Sequence, residues 1–152
     1  MRDAKADAVR IIQAALARVD PLSMLERTLR FDGRTLCVTT ESQNFQYDLS
    51  RYRNIWLLGA GKAAARMARG VEVLLGERIA GGCVAVKEGH TEPLRRVAVL
   101  EAGHPIPDAR SVRAARELLA AARLAGEDDL VIVVLSGGGQ YLLPKEAKGG
   151  KR

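Results

Sequence analysis

The sequence predicts an α/β fold, and three observations carry that prediction. Short apolar runs at 55–58, 83–86, 97–100 and 130–135 alternate with segments whose apolar residues recur at helical spacing. Such alternation marks βαβ units and a parallel sheet covered on both faces. A polar or glycine-rich loop follows each run: Gly59-Ala60-Gly61-Lys62, Lys87-Glu88-Gly89-His90, the stretch 101–108, and Ser136-Gly137-Gly138-Gly139. The first of these joins run to helix directly, as a strand, a glycine turn and a helix start. The expected architecture is a Rossmann-like, three-layer domain with a mostly parallel sheet flanked by helices. N-terminal helices and a possible β-hairpin precede it, residues 1–152 form one domain, and 140–152 is an irregular tail.

Each element has its own reason. Over 3–19, Ala8, Ile11, Ile12, Ala15, Leu16 and Val19 make one apolar helical stripe, and Pro21 ends or restarts the helix. Leu22, Leu25 and Leu29 suggest a second, short helix. The β-branched stretch 36–40, a polar turn at 41–44 and the stretch 45–48 read as a hairpin. After the first glycine turn, Ala63, Met67, Val71 and Leu74 share a helix face, which Gly76 and the Gly81-Gly82 pair close. Pro105 and Pro107 fix an extended loop, and Asp108 is placed to cap a helix over 109–124. That helix is expected to bury Val112, Ala115, Leu118, Leu119 and Ala122, and Gly126 stops it.

Composition narrows the function. With 152 residues, 47% hydrophobic and 28% charged, the chain suits one globular domain with a real core. No apolar run approaches the ~18–20 residues of a membrane span, so no membrane partner is expected. The amphipathic N-terminus does not read as a signal peptide. Cys37 and Cys83 lack metal-ligand spacing and suggest reduced thiols in the cytoplasm. The net charge of +6 is spread over two predicted helices among Glu72 and Glu117, apart from a basic tail of Lys145, Lys148, Lys151 and Arg152. Aromatics are 4% and show no stacking pattern, which argues against nucleic acid and for a small anionic ligand.

The loops carry the chemistry. A glycine turn at a helix start, with Gly59, Gly61 and the ammonium of Lys62, suits a phosphate or carboxylate. Gly59-x-Gly61-x-x-Ala64 formally fits a dinucleotide fingerprint, but the next strand ends in Lys87-Glu88 and leaves that reading open. A phosphate-binding P-loop is excluded, because Trp56 and Ala63 stand where it requires Gly and Ser or Thr. Ser136, Gly137, Gly138 and Gly139 suit a nest of N–H donors. His104, between Gly103 and Pro105, is placed to approach a ligand, whereas His90 reads as an exposed loop residue. All these loops fall at the strand ends where open α/β sheets bind ligands.

Taken together, DLSRY at 48–52, GAGKAAARMA at 59–68, GG-x-VAVKEGH at 81–90, EAGHPIPD at 101–108 and LSGGG at 135–139 resemble the N-terminal domain of class II glycerate 2-kinases, a family also named hydroxypyruvate reductase. The resemblance implies ATP-dependent phosphorylation of D-glycerate at its 2-hydroxyl, with Mg²⁺, in a cleft between two α/β domains. Carried over, Lys62 is the catalytic residue. Gly59, Gly61, Lys87, His104 and Ser136 to Gly139 are substrate- or nucleotide-binding, and no residue is assigned to a metal. The sequence departs from the family after the glycines, where Gln140-Tyr141 replaces small residues and Pro144 precedes a charged tail. The domain is therefore expected to need a C-terminal domain for activity, or to pair as a homodimer. The alternatives are a non-catalytic nucleotide- or anion-binding module, and an NAD(P)-dependent oxidoreductase using the GxGxxA turn.

Overall fold

The computed structural model describes residues 3–143. The predicted N-terminal helix is α1 (Ala4–Arg18), capped by the Asp3 carboxylate, which accepts from the Lys5 and Ala6 amides. Its apolar stripe is not buried: Ile11, Ile12 and Leu16 are 70%, 59% and 64% exposed. Spacing shows which side of a helix is apolar, and says nothing of whether a partner covers it. Helix α2 (Pro21–Thr28) has Pro21 in its first turn and Asp20 as cap. Leu29, read as helical, instead opens β1 (Leu29–Phe31). With β2 (Thr35–Thr39) and β3 (Asn44–Asp48), β1 forms a three-stranded antiparallel sheet containing the expected hairpin. The register aligns Phe31, Leu36 and Tyr47 across one face, and Leu36 is buried in the main core.

Four parallel strands follow: β4 (Ile55–Ala60), β5 (Ile79–Lys87), β6 (Ala98–Ala102) and β7 (Leu130–Leu135), in the spatial order β6-β5-β4-β7. Helix α3 (Ala64–Leu75) links β4 to β5, and α4 (Ala109–Leu124) links β6 to β7. Strand alternation assigns the faces. Ile55, Leu57, Val84, Val86 and Val134 pack with Ala64, Ala65, Ala68, Val71 and Leu75 of α3. Ala60, Ala85 and Ala102 pack with Ala114 of α4 on the other side. The result is a sheet between two helices, with small side chains letting α4 approach closely.

Three details depart from expectation. Gly81 and Gly82 lie inside β5 rather than closing the preceding helix. A Cβ on Gly82 would collide with the Leu57 carbonyl of the neighbouring strand, so the glycine serves strand approach. Strand β7 sits at an edge, and only its α3 side is covered: Val133 and Leu135 are 56% and 66% exposed. On α4, Ala114 is fully buried, but the expected core residue Leu119 is 58% exposed.

The loops are pinned by carboxylates. Asp129, its side chain fully enclosed, accepts from the Gly126 amide (3.0 Å), Asn54 Nδ2 (3.0 Å) and Trp56 Nε1 (3.2 Å), with Arg53 3.4 Å away. These donors hold its carboxyl down to about 2, the Gly126 amide being the largest cause. Asp108 caps α4 as expected, in a reciprocal capping box with Ser111. Among the described residues no helix is long and apolar enough to cross a membrane.

Candidate functional site

The strand order reverses between β4 and β7. From β4 the chain steps through β5 to β6 on one side, and α4 then returns it to β7 on the other. In open α/β sheets the crevice at such a reversal, outside the carboxyl ends of the strands, is where ligands bind. The loops that leave β4 and β7 at this point are the lysine-bearing bend and the serine–glycine loop.

Those two loops are joined. Lys62 donates its amide to the Gly137 carbonyl (3.2 Å), Ala63 donates to Ser136 Oγ (2.9 Å), and Ser136 donates to the Ala60 carbonyl (3.0 Å). Gly61 donates to the Ala85 carbonyl (3.0 Å), and Ala64 donates back to the Gly61 carbonyl (3.1 Å). Gly61 itself has φ +127°, and a Cβ there would lie 2.5 Å from the Ser136 carbonyl oxygen. Only glycine accepts both demands. The amides of residues 61–64, expected to face an anion, are therefore bonded within the protein. What the bend presents at the rim is the exposed side chain of Lys62.

A third loop closes over the first two. A Cβ on Gly138 (φ +90°) would lie 2.7 Å from His104 Nε2 and 3.7 Å from Lys62 Cε. Imidazole and lysine stem thus meet above one glycine. The His104 loop, which includes a cis His104–Pro105 bond, is fixed by Asp108, whose carboxylate accepts from the Gly103 and Arg110 amides. Tyr141 sets its ring edge-on to the imidazole, with centroids 5.5 Å apart at 84°. Burial pushes the His104 pKa down, and the charges of Lys62, Lys87 and His90 push the same way. The neutral imidazole is favoured, in a patch of positive potential drawn from the ends of β4, β5 and β6.

Of the residues expected at a site, Lys62, His104, Ser136, Gly137 and Gly138 come together here. Lys87, half-buried at the end of β5, is near enough for its charge to act on His104. Gly59 lies inside β4, where a Cβ would be 2.5 Å from Val134 Cγ2, so it serves strand packing. Gly139 begins α5 (Gly139–Leu142), a short helix where the sequence suggests irregular chain. Residues 144–152, the remainder of the expected tail with its lysines, lie outside the described residues. Tyr141 was legible only as bulk beside the glycines, since its contact with His104 depends on β6 and β7 sharing a rim.

A family model described as "Domain of unknown function (DUF4147)" matches residues 7–149. The chain belongs to the DUF4147 family. This domain forms the N-terminal region of glycerate kinases. The chain is 32% identical over 140 residues to the glycerate 2-kinase of Pyrococcus horikoshii, covering 91% of this chain and 30% of the relative. It is 37% identical over 134 residues to an Agrobacterium vitis protein named as a candidate hydroxypyruvate reductase, covering 88% of this chain and 26% of the relative. Among solved structures, the PH0495 protein of Pyrococcus horikoshii OT3 superimposes with a TM-score of 0.82 at 29% identity, covering 99% of this chain and 33% of that one. This DUF4147 chain therefore spans about a quarter to a third of the length of these relatives.

Proposed function

We propose that the chain is one α/β domain of a glycerate 2-kinase, contributing the lysine-bearing wall of a cleft in which ATP phosphorylates D-glycerate at its 2-hydroxyl. The observation that carries this reading is the meeting of Lys62 and His104 above Gly138, at the reversal of strand order and beside Lys87. Phosphoryl transfer asks a protein for positioning and charge stabilisation rather than covalent chemistry. Lys62 supplies an ammonium on a fixed bend, Lys87 adds a second positive charge, and His104 offers Nε2 as a hydrogen-bonding group. The Ser136 loop holds the bend in place and lines the cleft with Gly137 and Gly138.

The family resemblance brings Mg²⁺ with it, an ion that kinases hold through nucleotide phosphates and one or two carboxylates rather than in a full protein cage. Among the described residues no three His, Cys, Asp or Glu side chains cluster as a metal site, and the rim presents ammonium and imidazole instead. Phosphate charge on this wall is met by lysine. The unpaired thiols of Cys37 and Cys83 suit the reducing cytoplasm in which such a kinase would work. The uncovered side of β7 is where we place the contact with the complementary domain.

The bonding of the bend argues against the oxidoreductase alternative. A dinucleotide fingerprint works by leaving the amides of its glycine turn open to a pyrophosphate, and here Gly61, Lys62 and Ala63 donate to Ala85, Gly137 and Ser136. The test is ADP release from ATP and D-glycerate, by the chain alone and with the remaining two-thirds of a relative supplied in trans. The reading expects little turnover alone and a gain on complementation that Lys62→Ala abolishes. NADPH oxidation with hydroxypyruvate, and no ADP release, would overturn it.

A further inference from the structure

The family resemblance leaves Tyr141 without a role. We infer that Tyr141 is a positioning residue, whose ring holds His104 with Nε2 above Gly138 and beside Lys62. The inference rests on the reading of this rim as the ligand cleft, but it concerns a contact to which the resemblance assigns nothing.

Three observations support it. The ring sits edge-on to the imidazole, at 5.5 Å and 84°, the geometry in which one aromatic edge meets another's face favourably. The backbone that carries the ring is anchored: Leu142, the next residue, is fully buried against Ala60, Ala85, Ala102 and Ala114, and the Tyr141 amide donates to the Gly138 carbonyl (3.1 Å). Gly138 and the stem of Lys62 also lie beside the imidazole, and neither offers it the aromatic contact that a ring does. Removing the tyrosine ring would leave His104 free to rotate toward solvent. The ionisable groups acting on His104 are Lys62, Lys87 and His90, all basic, so an imidazole swung out of the rim escapes both burial and repulsion.

The experiment compares the chain with Tyr141→Phe and Tyr141→Ala, following the His104 ring protons by NMR through a pH titration and binding of inorganic phosphate by calorimetry. Tyr141 is 45% exposed, so both variants should fold; Tyr141→Leu is the substitute should the alanine variant not do so. Tyr141→Ala is expected to remove the ring-current shift at His104, raise its midpoint toward the ordinary imidazole range, and weaken phosphate at least threefold. Tyr141→Phe should restore all three. An unchanged His104 titration and phosphate affinity in Tyr141→Ala would overturn the inference. If the unaltered chain binds no phosphate, the reading of the cleft fails separately, and the His104 titration alone then decides for or against Tyr141.

Discussion

Replacing Gly61 by alanine tests whether the bend and the serine–glycine loop are one unit. Two costs add at this position. The backbone conformation, φ +127°, is one that L residues rarely adopt, at about 1–3 kcal/mol. The new methyl would also meet Ser136 backbone atoms at 2.5 and 2.8 Å, and crowding of that kind costs about 1–3 kcal/mol. The total, about 2–6 kcal/mol, is a large share of the ~5–15 kcal/mol that holds a typical domain together. At about 2–4 °C per kcal/mol for a chain this long, the melting temperature should fall by about 4–24 °C. Two other glycines separate the terms. Gly33 has φ +98° and nothing within 4 Å, so Gly33→Ala reads strain alone. Gly137 has open space and no positive φ, so Gly137→Ala should be neutral or stabilising by up to about 1 kcal/mol. Thermal melts of the three variants, followed by circular dichroism, settle the matter. A Gly61→Ala cost equal to that of Gly33→Ala would refute the joined-loop picture.

Three further outcomes follow from the same contacts. Leu142→Ala empties a fully buried position at the end of the described chain and should cost about 2–5 kcal/mol in denaturant melts; a loss under 1 kcal/mol would mean α5 is not anchored there. Asp129, held at about 2 in the folded state, contributes stability that is full above the ordinary carboxylate range and fades as pH falls toward 2, so Asp129→Asn should flatten the acid side of a stability–pH curve. His104 has the same sign of linkage for a different cause: burial and nearby positive charge depress its folded pKa, so the unfolded chain takes up the proton first. Stability without ligand should then drop as pH falls through the imidazole range, a dependence that His104→Gln removes.

Much of the fold was legible because the physics is local. The runs that became β4 and β7 are apolar, short and bounded by glycine, and Asp108 stands where a helix start needs an acceptor for its amides. What escaped depends on neighbours in space. Gly82 looks like a turn residue until the Leu57 carbonyl is seen against it. Leu29 continues the helical spacing of Leu22 and Leu25, yet pairs with Val38 in a sheet. The stripe on α1 and the outer side of β7 are as apolar as a core, and no sequence pattern reveals that they lie uncovered. At the site, the loops could be placed at strand ends but not ordered, since the order depends on β7 adding beside β4. That order also decides that the amides beside Lys62 bond to the Ser136 loop, leaving charge rather than backbone to meet a ligand.

On the proposed reading Lys62 binds phosphate in a cleft that His104 shares, and ligand-dependent melting of the chain and of Lys62→Ala is the sharpest check on it. With ATP or D-glycerate at about 100 times its dissociation constant, binding stabilises by about 2.7 kcal/mol, a rise of about 5–10 °C. That rise is expected in the unaltered chain and should be lost in Lys62→Ala, whose melting without ligand should be unchanged because the lysine side chain is exposed. An equal rise in both proteins, or none with either ligand, would contradict it.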